Sequence, residues 1–214
     1  MQPPTLAAVA FLYDRSTLIY FPVMRILTFD IETANWFTET GGSDPALLTI
    51  AVVGTHDSAT DEYNCYVEAE FPRLWKQIEE TDVLVGFNSD HFDIPLLNKY
   101  FPGDLTKIKS IDLMKEVYEK LGRRIRLDAI ADGTLGKKKS GHGGQSLIWW
   151  REGKVDKVKK YCEKDVELTK DLFNYALKNN SLKYKELGKT NEVKLDTSKW
   201  LERNTKPMTF TMGF

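Results

Sequence analysis

The stretch Ile26-Leu27-Thr28-Phe29-Asp30-Ile31-Glu32-Thr33 constrains the chain most. Apolar β-forming residues lead into two carboxylates spaced two apart, and in an extended strand alternate side chains project from one face. Asp30 and Glu32 therefore point together. Like charges at the end of a core-type strand repel and lose hydration, so they need a cation or solvent between them. The triplet alone fits a divalent-metal site and a strand end running into a solvated turn equally well.

The residues around it give the strand something to pack against. Of 214 residues 42% are hydrophobic, enough for one domain with a real core and an appendage. Lys and Arg number 30 against 31 Asp and Glu, a net charge of −1, so no global basic field announces a nucleic-acid partner. Any such partner must be held by local patches. Cys65 and Cys162 lack metal-type spacing and suit free core thiols in a reducing cytoplasm, which argues against zinc. In the leading segment, Leu6 to Leu12 is apolar but too short to span a bilayer, and no membrane association is expected. Residues 1–23 read as an N-terminal extension of doubtful status, with Met24 as the true start.

Strands are expected at Arg25–Ile31, Leu47–Thr55 and Tyr63–Val67, forming an antiparallel meander. Phe71, Leu74, Trp75 and Ile78 recur at helical spacing. Val83–Asn88 reads as a buried strand, followed by a helix from near Phe92, a strand from Ile108 to Asp112 and a helix from Leu113 to Leu121. This order implies a mixed sheet with helices packed against it, because crossovers between parallel strands are helical and right-handed. A short helix is expected at Leu127–Leu135, then a basic glycine-rich loop. The longest helix spans Lys154–Lys178, with Val155, Val158, Cys162, Val166, Thr169, Phe173 and Ala176 as its apolar stripe. Leu182–Leu187 and Glu192–Asp196 flank Gly188-Lys189-Thr190-Asn191 as a terminal β-hairpin, with Trp200, Phe210 and Phe214 packing back on the core. Residues 24–178 then form one domain, and residues 179–214 a hairpin and tail packed on it.

Two further groups of residues bear on the carboxylate pair. Asn88-Ser89-Asp90-His91-Phe92-Asp93 lies where a buried strand gives way to a helix, an edge on which α/β proteins mount ligands. Asp93 reaches the space of Asp30 and Glu32 if their strands are neighbours; taken alone it reads first as a first-turn helix acid. On the long helix Tyr161 and Asp165 are one turn apart on one face. His91 is read as a local hydrogen-bonding residue, and Asp90 and Asp112 as structural acids.

In order and context these three segments resemble the motifs of the DEDD (DnaQ-like) 3′–5′ exonuclease superfamily in its tyrosine subtype. The proofreading domains of family B DNA polymerases share that form. Closer still, Phe29-Asp30-Ile31-Glu32, Gly86-Phe87-Asn88, Phe92-Asp93-Ile94-Pro95-Leu96-Leu97 and Tyr161-Cys162-Glu163-Lys164-Asp165-Val166-Glu167-Leu168-Thr169 resemble the YprB-type ribonuclease H-like nucleases. The resemblance covers residues 25–178. It implies an α/β, ribonuclease H-like fold with a five-stranded sheet in the order 3-2-1-4-5. It also implies metal ligation by Asp30, Glu32, Asp93 and Asp165, with Tyr161 positioning the attacking water. The histidine subtype would place His where Lys160 stands.

Charge explains why such a site takes two divalent metal ions, Mg²⁺ or Mn²⁺. A phosphodiester resists an anionic nucleophile, and hard cations reverse the local sign and clamp the attacking and leaving oxygens. A phenol ordinarily titrates near 10, so Tyr161 orients water rather than removing its proton. Lys137, Lys138, Lys139, Arg123, Arg124 and Lys160 are candidates for phosphate contact, and Trp149 of the Trp149-Trp150 pair for stacking on a terminal base. Asn88 and His142 are further substrate-side candidates. The leading expectation is a stand-alone exonuclease on single-stranded DNA or RNA ends. A catalytically silent binding module and a structure-specific endonuclease stay open beside it.

Overall fold

The computed structural model describes residues 24–137 and 144–202. Ile26–Thr33 forms β1, and alternation sends Leu27, Phe29 and Ile31 into one core cluster while Thr28, Asp30 and Glu32 face the other side of the sheet. Ile50–Asp57 (β2) pairs antiparallel with β1, and Glu62–Tyr66 (β3) antiparallel with β2. On the opposite edge of β1, Val83–Gly86 (β4) pairs in parallel, followed by Lys109–Asp112 (β5), also parallel. The sheet order is β3-β2-β1-β4-β5, as the resemblance implies.

Each face of the sheet is covered by helices. Phe71–Glu79 (α1) and Asp93–Asn98 (α2) bring Phe71, Leu74, Ile78, Ile94, Leu96 and Leu97 against the Leu27, Phe29 and Ile31 side. Leu113–Leu121 (α3) and Leu127–Leu135 (α4) follow, and then Gln145–Arg151 (α5) and Val155–Asn179 (α6). On α6, Val158 and Cys162 pack on Val52, while Leu172 and Phe173 join Val83 and Val85. A hairpin of Ser181–Glu186 (β6) and Lys189–Lys194 (β7) adds Leu182, Tyr184 and Val193 to that second cluster. Trp200 stacks on Phe173 with ring centroids 5.6 Å apart; Phe210 and Phe214 lie outside the described residues. Among the described residues no helix is long and apolar enough to cross a membrane.

Two expectations need correction, and one helix was not foreseen. The second strand begins at Ile50 rather than Leu47, because Asp44 accepts the Ala46 amide at 2.9 Å and closes a turn through Pro45 first. The hairpin turns on two residues rather than four: Leu187 and Gly188 both take positive φ, 49° and 76°, the geometry that matches strand twist. Lys189, Thr190 and Asn191 therefore pair with Glu186, Lys185 and Tyr184 instead of forming the loop. Finally, α5 was not expected, since Leu147-Ile148-Trp149-Trp150 is an unbroken apolar run with no helical period.

A buried ion pair ties the start of β1 to the end of β2. Asp57 is 1% exposed, and its carboxylate accepts from Arg25, from the Ala59 amide and from Gln77. Burial pushes the Asp57 carboxyl up, but these hydrogen bonds outweigh it and hold the group below its ordinary value. The folded state thus binds this proton more weakly than the unfolded chain. The resulting stability is complete above the unfolded value of about 3.9 and is lost as pH falls through the lower folded value. In urea unfolding, the stability gap between the native chain and Asp57→Asn is expected to be constant from pH 6 to 5 and to narrow below about pH 4. A gap that does not change with pH would contradict this assignment.

Candidate active site

Two segments remote in sequence bring three carboxylates together on the α6 side of the sheet. Asp30 and Glu32 come from the second half of β1, beyond its last pairing with β4 at Thr28 and Val85. The carboxyl end of a strand beyond its parallel neighbour is the usual ligand position in open α/β sheets. A register irregularity falls between Glu32 and Thr33, where β2 carries an extra residue, and such bulges re-aim side chains. Asp165 enters from α6, 2% exposed despite its charge. Asp30, Glu32 and Asp165 each offer a carboxylate oxygen, and these oxygens lie within 4.8 Å of one another.

Asp93 stands beside this trio rather than within it. It opens α2 at 4% exposure, and the amide of Ile31 in β1 and its own amide donate to it. Burial first, then the charges of Asp112 and Glu32, push its carboxyl well above the ordinary range despite those amides. A cation near Glu32 would reverse that field and favour the ionised form. Asp112 explains why the junction after β4 is rigid. It accepts from the amides of Asn88 (2.7 Å), Asp90 (3.1 Å), Met114 (3.0 Å) and Lys115 (3.2 Å), a structural role as expected. Asp90 likewise accepts from Ser110 and Lys115.

Asn88 takes a left-handed conformation, φ 65°, at that junction, and its side-chain oxygen is buried without a hydrogen-bond partner within the protein. A short polar side chain tolerates this conformation.

Tyr161 is 6% exposed and lies one turn before Asp165. Trp149 meets it edge to face, ring centroids 6.0 Å apart, while Lys157 sits over the Trp149 ring. The indole expected to stack on a base is thus packed against the tyrosine. Lys137 is held by Glu167 at 2.9 Å and Asp171 at 2.7 Å, and Arg123 by Glu186 at the hairpin. Lys160 and Arg124 are exposed, and Lys138, Lys139 and His142 lie outside the described residues.

Two contacts were missed in the sequence. The Ser146 hydroxyl, 4% exposed on α5, donates to Glu32 at 2.5 Å. The Cys162 thiol donates to the Asp30 carbonyl at 3.3 Å, and burial followed by the charges of Asp30 and Glu32 pushes it well up, so it is a thiol and not a thiolate. A lone serine after a glycine-rich run carries no distinguishing signal. Cys162 was legible as core but not as a neighbour of Asp30.

All the donors that meet here are hard carboxylate oxygens, the set preferred by Mg²⁺ and Mn²⁺ and not by soft metals. Clustered carboxylates that a divalent cation would neutralise fit a phosphodiester-processing centre.

A family model described as RNase_H superfamily matches residues 27–177. Among solved structures, the chain is similar to the family B DNA polymerase of the hyperthermophilic archaeon Pyrobaculum calidifontis, at 20% identity and a TM-score of 0.56. That likeness covers 73% of this chain and 25% of the polymerase chain, and shows a shared fold. No curated protein sequence matches.

Proposed function

The chain belongs to the RNase H superfamily, and from that premise we propose that it is a metal-dependent 3′–5′ exonuclease acting on single-stranded nucleic-acid ends. The observation that carries the proposal is the convergence of Asp30, Glu32 and Asp165, with Tyr161 one turn away on the same helix. Similarity of fold to a family B DNA polymerase and the motif resemblance to proofreading domains support the polarity.

In this reading Asp30, Glu32, Asp93 and Asp165 hold the cations, which supply charge neutralisation, an activated water and stabilisation of the departing oxygen. Ser146 holds one Glu32 oxygen through its hydroxyl. The Ile31 amide holds the Asp93 carboxyl within the field of Glu32. The Tyr161 hydroxyl orients the water for in-line attack, and Trp149 keeps its ring from turning away. Asn88 accepts from the terminal sugar. Lys137 would exchange Glu167 and Asp171 for a phosphate oxygen of the substrate.

The Tyr161→Phe variant separates orientation from metal binding. Hydrolysis is expected to slow by about 10²-fold, the low end for a positioned proton-handling group, while Mn²⁺ affinity stays within about twofold. A collapse of Mn²⁺ affinity would contradict the role given to Tyr161.

Incubation of the full chain with 5′-labelled single-stranded DNA and RNA tests the activity. With Mg²⁺ or Mn²⁺ the expected product is a ladder shortening from the 3′ end, lost in EDTA and in Asp93→Ala. Intact oligonucleotide in every metal condition, from a folded chain that still binds it, would contradict the proposal.

A further inference from the structure

We infer that Cys65 and Cys162 form a redox switch that closes as a disulfide and disables the metal centre, an inference that rests on the proposed function and adds its regulation. Both thiols are free, and they are the only cysteines of the chain. Strand β3 and helix α6 bring them together over one glycine. Asp30, Gly54 and Cys65 are direct partners across β1, β2 and β3, so they stand in one row across the sheet. The Cys162 sulfur fills the place of the missing Gly54 side chain, where a Cβ would stand 2.8 Å from it. Directly opposite residues of antiparallel strands share a face, with Cβ positions roughly 4.5–5.5 Å apart. The Cys65 side chain therefore rises beside that sulfur. It leans toward α6, since its thiol donates to the Lys159 carbonyl at 3.3 Å, less than one turn before Cys162. On the other side the Cys162 thiol donates to the Asp30 carbonyl at 3.3 Å. One sulfur thus sits between its redox partner and a metal ligand.

Exposure sets the order of events. Cys162 is wholly buried and Cys65 only partly, so an oxidant meets Cys65 first. A peroxide turns the Cys65 thiol into a sulfenic acid and is itself reduced to water. The Cys162 sulfur then attacks, the S–S bond forms, and the sulfenic hydroxyl leaves with the Cys162 proton as a second water. A diazene oxidant closes the same bond by taking up two electrons and two protons as a hydrazine. Burial pushes the Cys65 thiol up to about 11, so little of it is thiolate near neutral pH and closure is slow. The pair therefore answers to sustained oxidant. Nonbonded heavy atoms stand roughly 3.5 Å apart or more, bonded sulfurs about 2.05 Å. Closure draws the Cys162 sulfur toward β3 and away from the Asp30 carbonyl. Val52 and Val158 pack against Cys162, so the helical turn follows its side chain. That turn carries Tyr161, and Asp165 lies one turn after Tyr161. Carboxylates on β1 and α6 that must share a cation are thereby pulled out of register.

The test treats the full chain with diamide, a diazene, removes the reagent, and compares the oxidised chain with the same sample after dithiothreitol. Peptide mass spectrometry without reduction is expected to show Cys65 joined to Cys162. Mn²⁺ binding, followed by electron paramagnetic resonance, is expected to weaken at least about tenfold on oxidation, the scale of disturbed support around a metal site, and to return with the reductant. Cys65→Ser cannot close the bond and is expected to bind Mn²⁺ alike with and without diamide. Because each comparison is made within one protein, a general loss of affinity in the variant does not imitate the result. Absence of the joined peptide, a disulfide that leaves Mn²⁺ binding unchanged, or an equal loss of binding in Cys65→Ser overturns the inference. Hydrolysis of a 5′-labelled single strand is scored separately. A reduced chain that binds Mn²⁺ and loses it on oxidation, yet cuts nothing, would overturn the exonuclease reading and leave the switch standing.

Discussion

Replacing Asp165 with asparagine is expected to lower metal-dependent hydrolysis by at least about 10³-fold and to make the metal-free protein more stable. Three carboxylates within 4.8 Å repel one another. At an effective dielectric of about 20, two unit charges at that spacing cost roughly 3–4 kcal/mol, less where solvent reaches them. Asp30 and Glu32 keep some solvent contact, whereas Asp165 is buried at 2% exposure. Removing the buried charge relieves the repulsion and its desolvation while nearly preserving shape. A gain of about 1–2 kcal/mol in unfolding free energy is expected in EDTA, read from urea titrations. Saturating Mn²⁺ should stabilise the native chain and have little effect on the variant, because only a folded metal site gains by linkage. An Asp165→Asn protein that is both less stable in EDTA and still active would mean that Asp165 is an ordinary buried polar residue.

The Gly54→Ala variant is expected to lose about 10² in turnover, with a loss of stability on the order of 1–3 kcal/mol. Gly54 is the antiparallel partner of Asp30, and its absent side chain leaves room for α6. A Cβ there would stand 2.8 Å from the Cys162 sulfur and 3.1 Å from a Val166 methyl. The helix that carries Tyr161 and Asp165 must then move away from the strand that carries Asp30. A displacement of a few tenths of an ångström is tolerable to a hydrophobic face but not to oxygens that must share a cation. Adding Cys162→Ala removes the nearer obstruction, so the double variant should recover most of the lost activity. That recovery distinguishes misplacement from general destabilisation, since two independent losses would add. Activity equal to the native chain in Gly54→Ala alone would show that the helix spacing is not critical.

Much of this arrangement was legible because it rests on periodicity. Alternation in β1 puts Asp30 beside Glu32, and the four-residue step on α6 puts Tyr161 beside Asp165, whatever else the chain does. The order of the sheet came from motif resemblance rather than from pattern, since strand order is a long-range property. What stayed hidden depends on contacts between remote segments. The Ser146 bond to Glu32 spans 114 positions and rests on α5, whose four successive apolar residues carry no period. Lys137 reads as a free cation in a basic run, yet α6 presents Glu167 and Asp171 to it. The hairpin shows how local chemistry misleads: Gly188-Lys189-Thr190-Asn191 has loop composition, but the two-residue turn puts Leu187 at positive φ and 97% exposure.

If Asp30, Glu32 and Asp165 form a divalent-metal centre, titration of the full chain with Mn²⁺, followed by electron paramagnetic resonance, will show it. Free Mn²⁺ gives a sharp signal that broadens on binding, so occupancy is read without any nucleic acid or turnover. The account predicts saturable binding to the native chain, weakened at least about tenfold in Asp165→Asn and in Glu32→Gln. Equal binding by the native chain and both variants, or none by the native chain at millimolar Mn²⁺, would contradict it.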